Sequence, residues 1–365
     1  MKVGILTFPN STSYGASLQM YALYYVLTAL DCDAEVINYH NLYMKKELHY
    51  GKSNCAINKL IKQKIRYILH NQLYRNFRQF EKNKMTEYPK NSFHDPAYLM
   101  EIGKRYDAVI CGSDQVWNPD ITNNDLSYFL NFCSPETKRI SYAPSAGIEV
   151  FLDEYCEKIK PELERFTAIS VREDACRDMI KKLLDIEVPV VIDPTLLLDR
   201  KDWTMLEKEC TIPTEGYVLL YTIKRSKKLF DFALKLAESQ KKKLLVIGGN
   251  LLSNLKKQNN TVKYIVDIGP EQWLYFFHHA ECVVTNSFHG TAFSINYRKN
   301  FYVEFSSLTN SRLEQIVRTF GLEERIVDQQ SKPQMSMIDY SLTESILPLL
   351  REKSMSFLRQ ALEQE

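Results

Sequence analysis

Long apolar runs are missing from this 365-residue chain. No stretch reaches the roughly 18 consecutive apolar residues that a membrane-spanning helix needs. Paired cysteines are missing as well. The eight cysteines are scattered singly, with no CxxC pair and no His/Cys cluster at ligand spacing, so neither a disulfide framework nor a structural metal is expected. Cys111 and Cys282 lie in apolar strand-like runs and read as small buried hydrophobes. The chain also lacks a dominant charge: a net +2 gives no global reason to expect nucleic acid. There is no GxGxxG, hence no direct sign of a dinucleotide. Met1 to Phe8 is only a strand-length apolar run before Pro9, too short for a signal peptide's apolar region. A reducing cytoplasm is the expected setting. Repeats and low-complexity segments are absent.

What is present describes a globular protein: 45% hydrophobic and 25% charged residues. The length favours two domains. Lys2 to Phe8 reads as a strand, Pro9 to Ala16 as a loop, Ser17 to Leu30 as a helix with apolar residues at helical spacing, and Ala34 to Tyr39 as a second strand. Further strand-like runs are Tyr106–Cys111, Arg139–Ala143, Thr167–Val171, Val188–Asp193, Tyr217–Ile223, Lys243–Ile247, Tyr264–Val266, Cys282–Val284 and Lys299–Phe305. The alternation with helices predicts two facing, doubly wound Rossmann-like α/β domains. They are expected over residues 1–165 and 166–335, with C-terminal helices over 336–365 packing back across both. Residues 45–84 stand apart, with eleven Lys or Arg against two acids, Glu47 and Glu81. An apolar stripe runs through them from Ile57 to Phe80. That pattern suits an amphipathic helix lying on an anionic membrane surface, or an ordinary insertion with a solvated basic face.

The candidate functional residues sit where strands end. After Cys282–Val284 the chain turns through Thr285, Asn286 and Ser287 and resumes helical spacing at Phe288. A strand giving way to a helix start is where α/β proteins bind ligands, and the amides of a first helical turn attract anions. His289 lies in that turn and can move a proton near neutral pH; an N-capped helix with a locally packed histidine fits the same pattern. Asp114, after the strand ending at Cys111, can orient a hydroxyl or cap backbone amides. Arg172, at another strand end, can grip carboxylate or phosphate or pair locally with Glu173 or Asp174. Arg312 stands near a helix N-terminus, where a cation is unfavourable unless an anion is close; a plain surface position is the other reading.

Taken together, Tyr14-Gly15-Ala16-Ser17-Leu18-Gln19, Gly112-Ser113-Asp114-Gln115-Val116-Trp117-Asn118, Ser141 to Gly147, Ser170-Val171-Arg172-Glu173, Asp193-Pro194-Thr195 and Ser287-Phe288-His289-Gly290 resemble the polysaccharide pyruvyl transferase family over most of the chain. The resemblance implies a glycosyltransferase-B-like fold. It also implies transfer of the three-carbon unit of phosphoenolpyruvate onto sugar hydroxyls as a pyruvate ketal, without a metal or other cofactor. Arg172 and His289 match the family's donor-binding arginine and its histidine. On this resemblance His289 and Asp114 are the expected catalytic pair. Arg172, Arg312, Thr285, Asn286, Ser287 and Gly290 would hold the donor, and Tyr14, Gly15, Gln115 and Ser145 would stand on the acceptor side. One departure is visible: an Arg-Leu-His run in better-known members reads Ser287-Phe288-His289 here, and Arg312 is the candidate replacement for the missing charge. A nucleotide-sugar glycosyltransferase and a non-catalytic carbohydrate-binding relative are the rival readings. The acceptor would be a surface polysaccharide or its lipid-linked precursor, which gives the basic stretch a use at the inner membrane face. Replacing Lys59, Lys62, Lys64 and Arg66 with glutamate is then expected to abolish sedimentation with anionic vesicles; a wild-type protein that never sediments would remove this role.

Overall fold

The computed structural model describes residues 1–41, 72–248, 260–305, 311–328 and 331–364. Residues 45–71 of the basic stretch and the turn at Gly249-Asn250 lie outside the described residues. Residues 72–84 are helical. Among the described residues no helix is long and apolar enough to cross a membrane.

The strands form two sheets, each wholly parallel. The first holds β1 (Lys2–Leu6), β2 (Asp33–Tyr39), β3 (Glu87–Phe93), β4 (Ala108–Cys111), β5 (Lys138–Ser141) and β6 (Ala168–Ile169), in the order β3-β2-β1-β4-β5-β6. The second holds β7 (Tyr217–Thr222), β8 (Lys243–Gly248), β9 (Val262–Ile265), β10 (Cys282–Thr285) and β11 (Asn300–Val303), ordered β11-β10-β7-β8-β9. Parallel strands joined by crossover helices are buried on both faces and therefore read as unbroken apolar runs. Ala108 to Cys111 and Val218, Leu219, Val283 and Val284 are all fully buried. In each sheet the strand order reverses once, between β1 and β4 in the first and between β7 and β10 in the second. Crevices at the carboxyl ends of strands on either side of such a reversal are the usual ligand positions of open α/β sheets.

The doubly wound class expected from the sequence is present, but its boundaries shift. Among the described residues, one compact unit lies within 1–53, 81–197 and 348–365, and the other within 54–80 and 198–347. The expected division at 165 falls inside the first unit, because Ala168 and Ile169 pair with Ile140 and Ser141 of β5. For the same reason Arg172 stands in the first unit and not in a second, donor-side domain. The C-terminal helix Ser341–Glu363 contributes residues from Pro348 onward to the first unit. Two local expectations change as well. The helix after β1 begins at Tyr14, capped by Ser13 accepting from Ala16 N, so Tyr14 and Gly15 belong to its first turn and not to a loop. Val188–Asp193 is not a strand. It makes a single bridge, Val190 to Val171, because Pro189 has no N–H to extend the ladder.

The second unit holds a half-buried lysine. Lys299 Nζ donates to the His278 carbonyl, and burial, with Arg200 beside it, lowers its pKa from 10.5 to about 8. A folded-state pKa below the unfolded value means that the folded protein carries a penalty below pH 8, relieved as the pH rises from 8 toward 10.5. Lys299→Met is therefore expected to unfold at higher urea than wild type at pH 7, with the gap narrowing between about pH 8 and pH 10. A gap independent of pH would contradict the assignment.

Candidate active site

In the first unit the loops that follow β1, β4, β5 and β6 meet in one buried polar network. Its centre is Asp193. Its Oδ2 accepts from Ser113 Oγ at 2.8 Å and from Arg172 Nη1 at 2.8 Å. Its Oδ1 accepts from Thr195 N at 3.0 Å and Thr195 Oγ1 at 2.7 Å, which starts the turn Pro194–Leu197. Glu173 Oε2 lies 3.6 Å from Arg172 Nε, and Glu173 Oε1 accepts from Ser145 Oγ at 2.7 Å. From the other side, Gln19 Nε2 donates to Thr7 Oγ1 at 2.9 Å and Thr7 Oγ1 donates to the Ser113 carbonyl at 2.9 Å. Thr7, Gln19, Ser113 and Ser145 are fully buried, and Arg172 is 5% exposed. Burial opposes the charge on Arg172, but Asp193, Glu173 and Asp114 outweigh it and raise its pKa above the ordinary guanidinium value.

The network surrounds a strained residue. Asp114 has φ +84°, and Ala143 on the next strand end has φ +53°. A non-glycine residue held at positive φ costs on the order of 1–3 kcal/mol and persists only where its surroundings over-determine it. Here Asp114 pairs with Pro144 beyond the ends of β4 and β5. Its carbonyl accepts from Ser145 N at 2.9 Å, and its Oδ1 accepts from Gln115 N at 2.8 Å. Gln115 packs over Gly147, where a Cβ would come within 2.1 Å of Gln115 Oε1. Asp114 and Gln115 are half-buried.

In the second unit the stretch after β10 forms the expected helix start, Phe288–Asn296, capped by Ser287. Ser287 Oγ accepts from Gly290 N at 3.2 Å, and Thr285 Oγ1 accepts from Ser287 N at 3.1 Å. Asn286 reaches across the strand reversal: its Oδ1 accepts from Ile223 N at 3.1 Å and its Nδ2 donates to the Lys224 carbonyl at 2.8 Å. This pins the loop after β7 against the loop after β10. His289 lies in the first turn of the capped helix, 8% exposed, with its ring edge-on to Phe288. Arg312 is the second residue of the helix Ser311–Thr319, which packs on the His289 helix. Both helices follow adjacent parallel strands, so both N-termini lie at the carboxyl edge of the second sheet.

The expected residues thus fall into two groups. His289, Arg312, Thr285, Asn286, Ser287 and Gly290 share the carboxyl edge of the second sheet. Asp114, Gln115, Ser145, Tyr14, Gly15 and Arg172 share that of the first. The local pairing of Arg172 with Glu173 that the sequence allowed is present, and Asp193 joins it. Thr7, Gln19, Ser113 and Asp193 had no assigned role in the sequence. Five of the six motifs that carry the family resemblance supply members of this one network, and that convergence was the available signal. The only metal-capable cluster among the described residues is Glu207, His278 and His279. Arg200 Nη2 donates to His278 Nε2 at 2.9 Å and His278 Nδ1 faces Glu207 at 2.9 Å, so both ring nitrogens of His278 are engaged. The cluster lies before β10, at the edge opposite the His289 turn.

Comparisons with known proteins agree on the framework. The family model for polysaccharide pyruvyl transferase matches residues 14–303. No curated protein matches the chain. Among solved structures, UDP-GlcNAc 2-epimerase from Methanocaldococcus jannaschii is 13% identical, with 100% of this chain and 94% of that one covered and a TM-score of 0.50. A protein assigned as a UDP-N-acetylglucosamine 2-epimerase from Listeria monocytogenes is 10% identical, with 98% and 90% covered and a TM-score of 0.53. At such identities the likeness is one of fold: two Rossmann-like α/β domains of the glycosyltransferase-B kind.

Gly290 tests the geometry of the second edge. Alanine normally gains up to about 1 kcal/mol over glycine inside a helix. Here a Cβ would stand 2.3 Å from Thr285 Oγ1 and 3.0 Å from Tyr221 Cδ1. Gly290→Ala is therefore expected to destabilise by about 1–3 kcal/mol in urea unfolding. Thr285→Ala in the same chain should recover part of the loss, and strict additivity of the two changes would contradict the close approach.

Proposed function

Because the chain belongs to the polysaccharide pyruvyl transferase family, we propose that it transfers the three-carbon unit of phosphoenolpyruvate to two hydroxyls of a saccharide as a pyruvate ketal. The observation that carries this reading is the position of His289. It is a nearly buried imidazole in the first turn of a capped helix, at the strand reversal of the second sheet. Phosphoenolpyruvate brings a phosphate and a carboxylate. Helix N-termini and Arg312 supply the matching positive potential at that edge. Arg312 also offers an answer to the arginine that Ser287 lacks.

The reaction starts with a proton from His289 to C3 of the donor, which turns the methylene into a methyl group and leaves positive charge at C2. A saccharide hydroxyl adds to C2 as its proton passes to the Asp114 carboxylate. Phosphate then leaves with the C–O bonding pair, and a second hydroxyl closes the ketal as its proton passes to the departing phosphate. The products are one ketal and one inorganic phosphate. Asp114 is assigned to the acceptor hydroxyl, which its half-buried carboxylate can orient. The acceptor is a surface polysaccharide or its lipid-linked precursor, met by peripheral contact with the membrane through residues 45–84.

Thermal unfolding with phosphoenolpyruvate tests the reading. A donor at about 100 times its dissociation constant adds about 2.7 kcal/mol to stability. Wild type should be stabilised, and Arg312→Ala should lose most of the shift. His289→Ala should keep much of the shift while losing acceptor-dependent phosphate release. Protection by UDP or GDP and not by phosphoenolpyruvate would replace this reading with nucleotide-sugar transfer.

A further inference from the structure

Ser113 is held from both sides by buried groups. On its side-chain face, Ser113 Oγ donates to Asp193 Oδ2 and lies 3.4 Å from Arg172 Nη1. On its backbone face, its carbonyl accepts from Thr7 Oγ1, which in turn takes the Gln19 amide proton. The direction of that second chain follows from its members. Thr7 has one hydroxyl proton, spent on the Ser113 carbonyl, so its lone pair must be met by the Gln19 N–H. The residue after this doubly anchored serine is Asp114 with φ +84°.

We propose that Arg172–Asp193 and Gln19–Thr7 form a two-sided clamp on Ser113 that holds Asp114 in its left-handed conformation. On this account Thr7 and Gln19 are positioning residues for the acceptor-side carboxylate. The clamp rests on the proposed assignment of Asp114 to the acceptor hydroxyl for its functional consequence, but its mechanical part stands without it. Glycine tolerates positive φ at no steric cost, so Asp114→Gly relieves whatever strain the clamp imposes.

A thermodynamic cycle reads the mechanical part without substrate: wild type, Thr7→Val, Asp114→Gly and the double variant, each unfolded in urea. Asp114→Gly should raise the midpoint in wild type and raise it by less than half as much once Thr7→Val has opened the clamp. Equal rises in both backgrounds, or no rise in wild type, would overturn the proposal. Gln19→Met replaces Thr7→Val if that variant fails to fold. Activity then reads the positioning part. Thr7→Val should lower kcat for acceptor-dependent phosphate release at least tenfold while the stabilisation by phosphoenolpyruvate stays at its wild-type value. Loss of the phosphoenolpyruvate shift in Thr7→Val would place the network on the donor side and overturn it. A wild type that shows the urea coupling but neither shift nor phosphate release keeps the clamp and removes the transferase reading.

Discussion

Arg172 and Asp193 are each almost wholly withdrawn from water, and neither can be left there alone. Removing one partner of such a buried pair costs about 3–5 kcal/mol, because the remaining charge loses both its solvent and its counter-ion. That requirement organises the first unit. Asp193 collects the side chain of Ser113 after β4, the guanidinium of Arg172 after β6 and both the amide and hydroxyl of Thr195. Through Glu173 the same cluster reaches Ser145 after β5, and through the Ser113 carbonyl it reaches Thr7 after β1. Residues up to Leu197 must therefore fold with the first sheet, and a left-handed aspartate is held among them.

The second unit reaches rigidity by simpler means. The polar residues between β10 and its helix are used on the backbone: Thr285 and Ser287 on the helix start, and Asn286 on the loop after β7. Gly290 lets the helix approach β10 closely enough for this. The imidazole of His289 thus stands on a floor with little freedom, which its proposed role as proton donor to a carbon atom requires. Both arrangements occupy the strand reversal of their own sheet, where the carboxyl ends diverge and leave room for a ligand.

The alternation of strands and helices was legible because parallel strands need apolar residues on both faces, and short apolar runs such as Val283-Val284, bounded by turn residues, fit that requirement. Its limits were equally physical. Ala168-Ile169 is a two-residue strand, and nothing in a local pattern says which sheet a short strand will join; the division expected at 165 failed there. Tyr14 and Gly15 looked like loop residues because the apolar periodicity starts later, whereas the capping by Ser13 starts the helix. His289 and its turn were recognisable from a strand-to-helix change. Arg172 was recognisable as a charge at a strand end, but its partner Asp193 lies 21 residues on, beyond any periodic signal. Only the folded chain shows that most of the motifs that carry the family resemblance serve one network.

The proposed reaction joins phosphoenolpyruvate to a saccharide with loss of phosphate. Nuclear magnetic resonance of phosphoenolpyruvate incubated with the protein and a saccharide acceptor follows both products at once. The account predicts a ketal methyl signal and inorganic phosphate growing in equal amounts, with neither formed when the acceptor is omitted. Phosphate accompanied by free pyruvate, or a donor left intact while a nucleotide sugar is consumed, would contradict it.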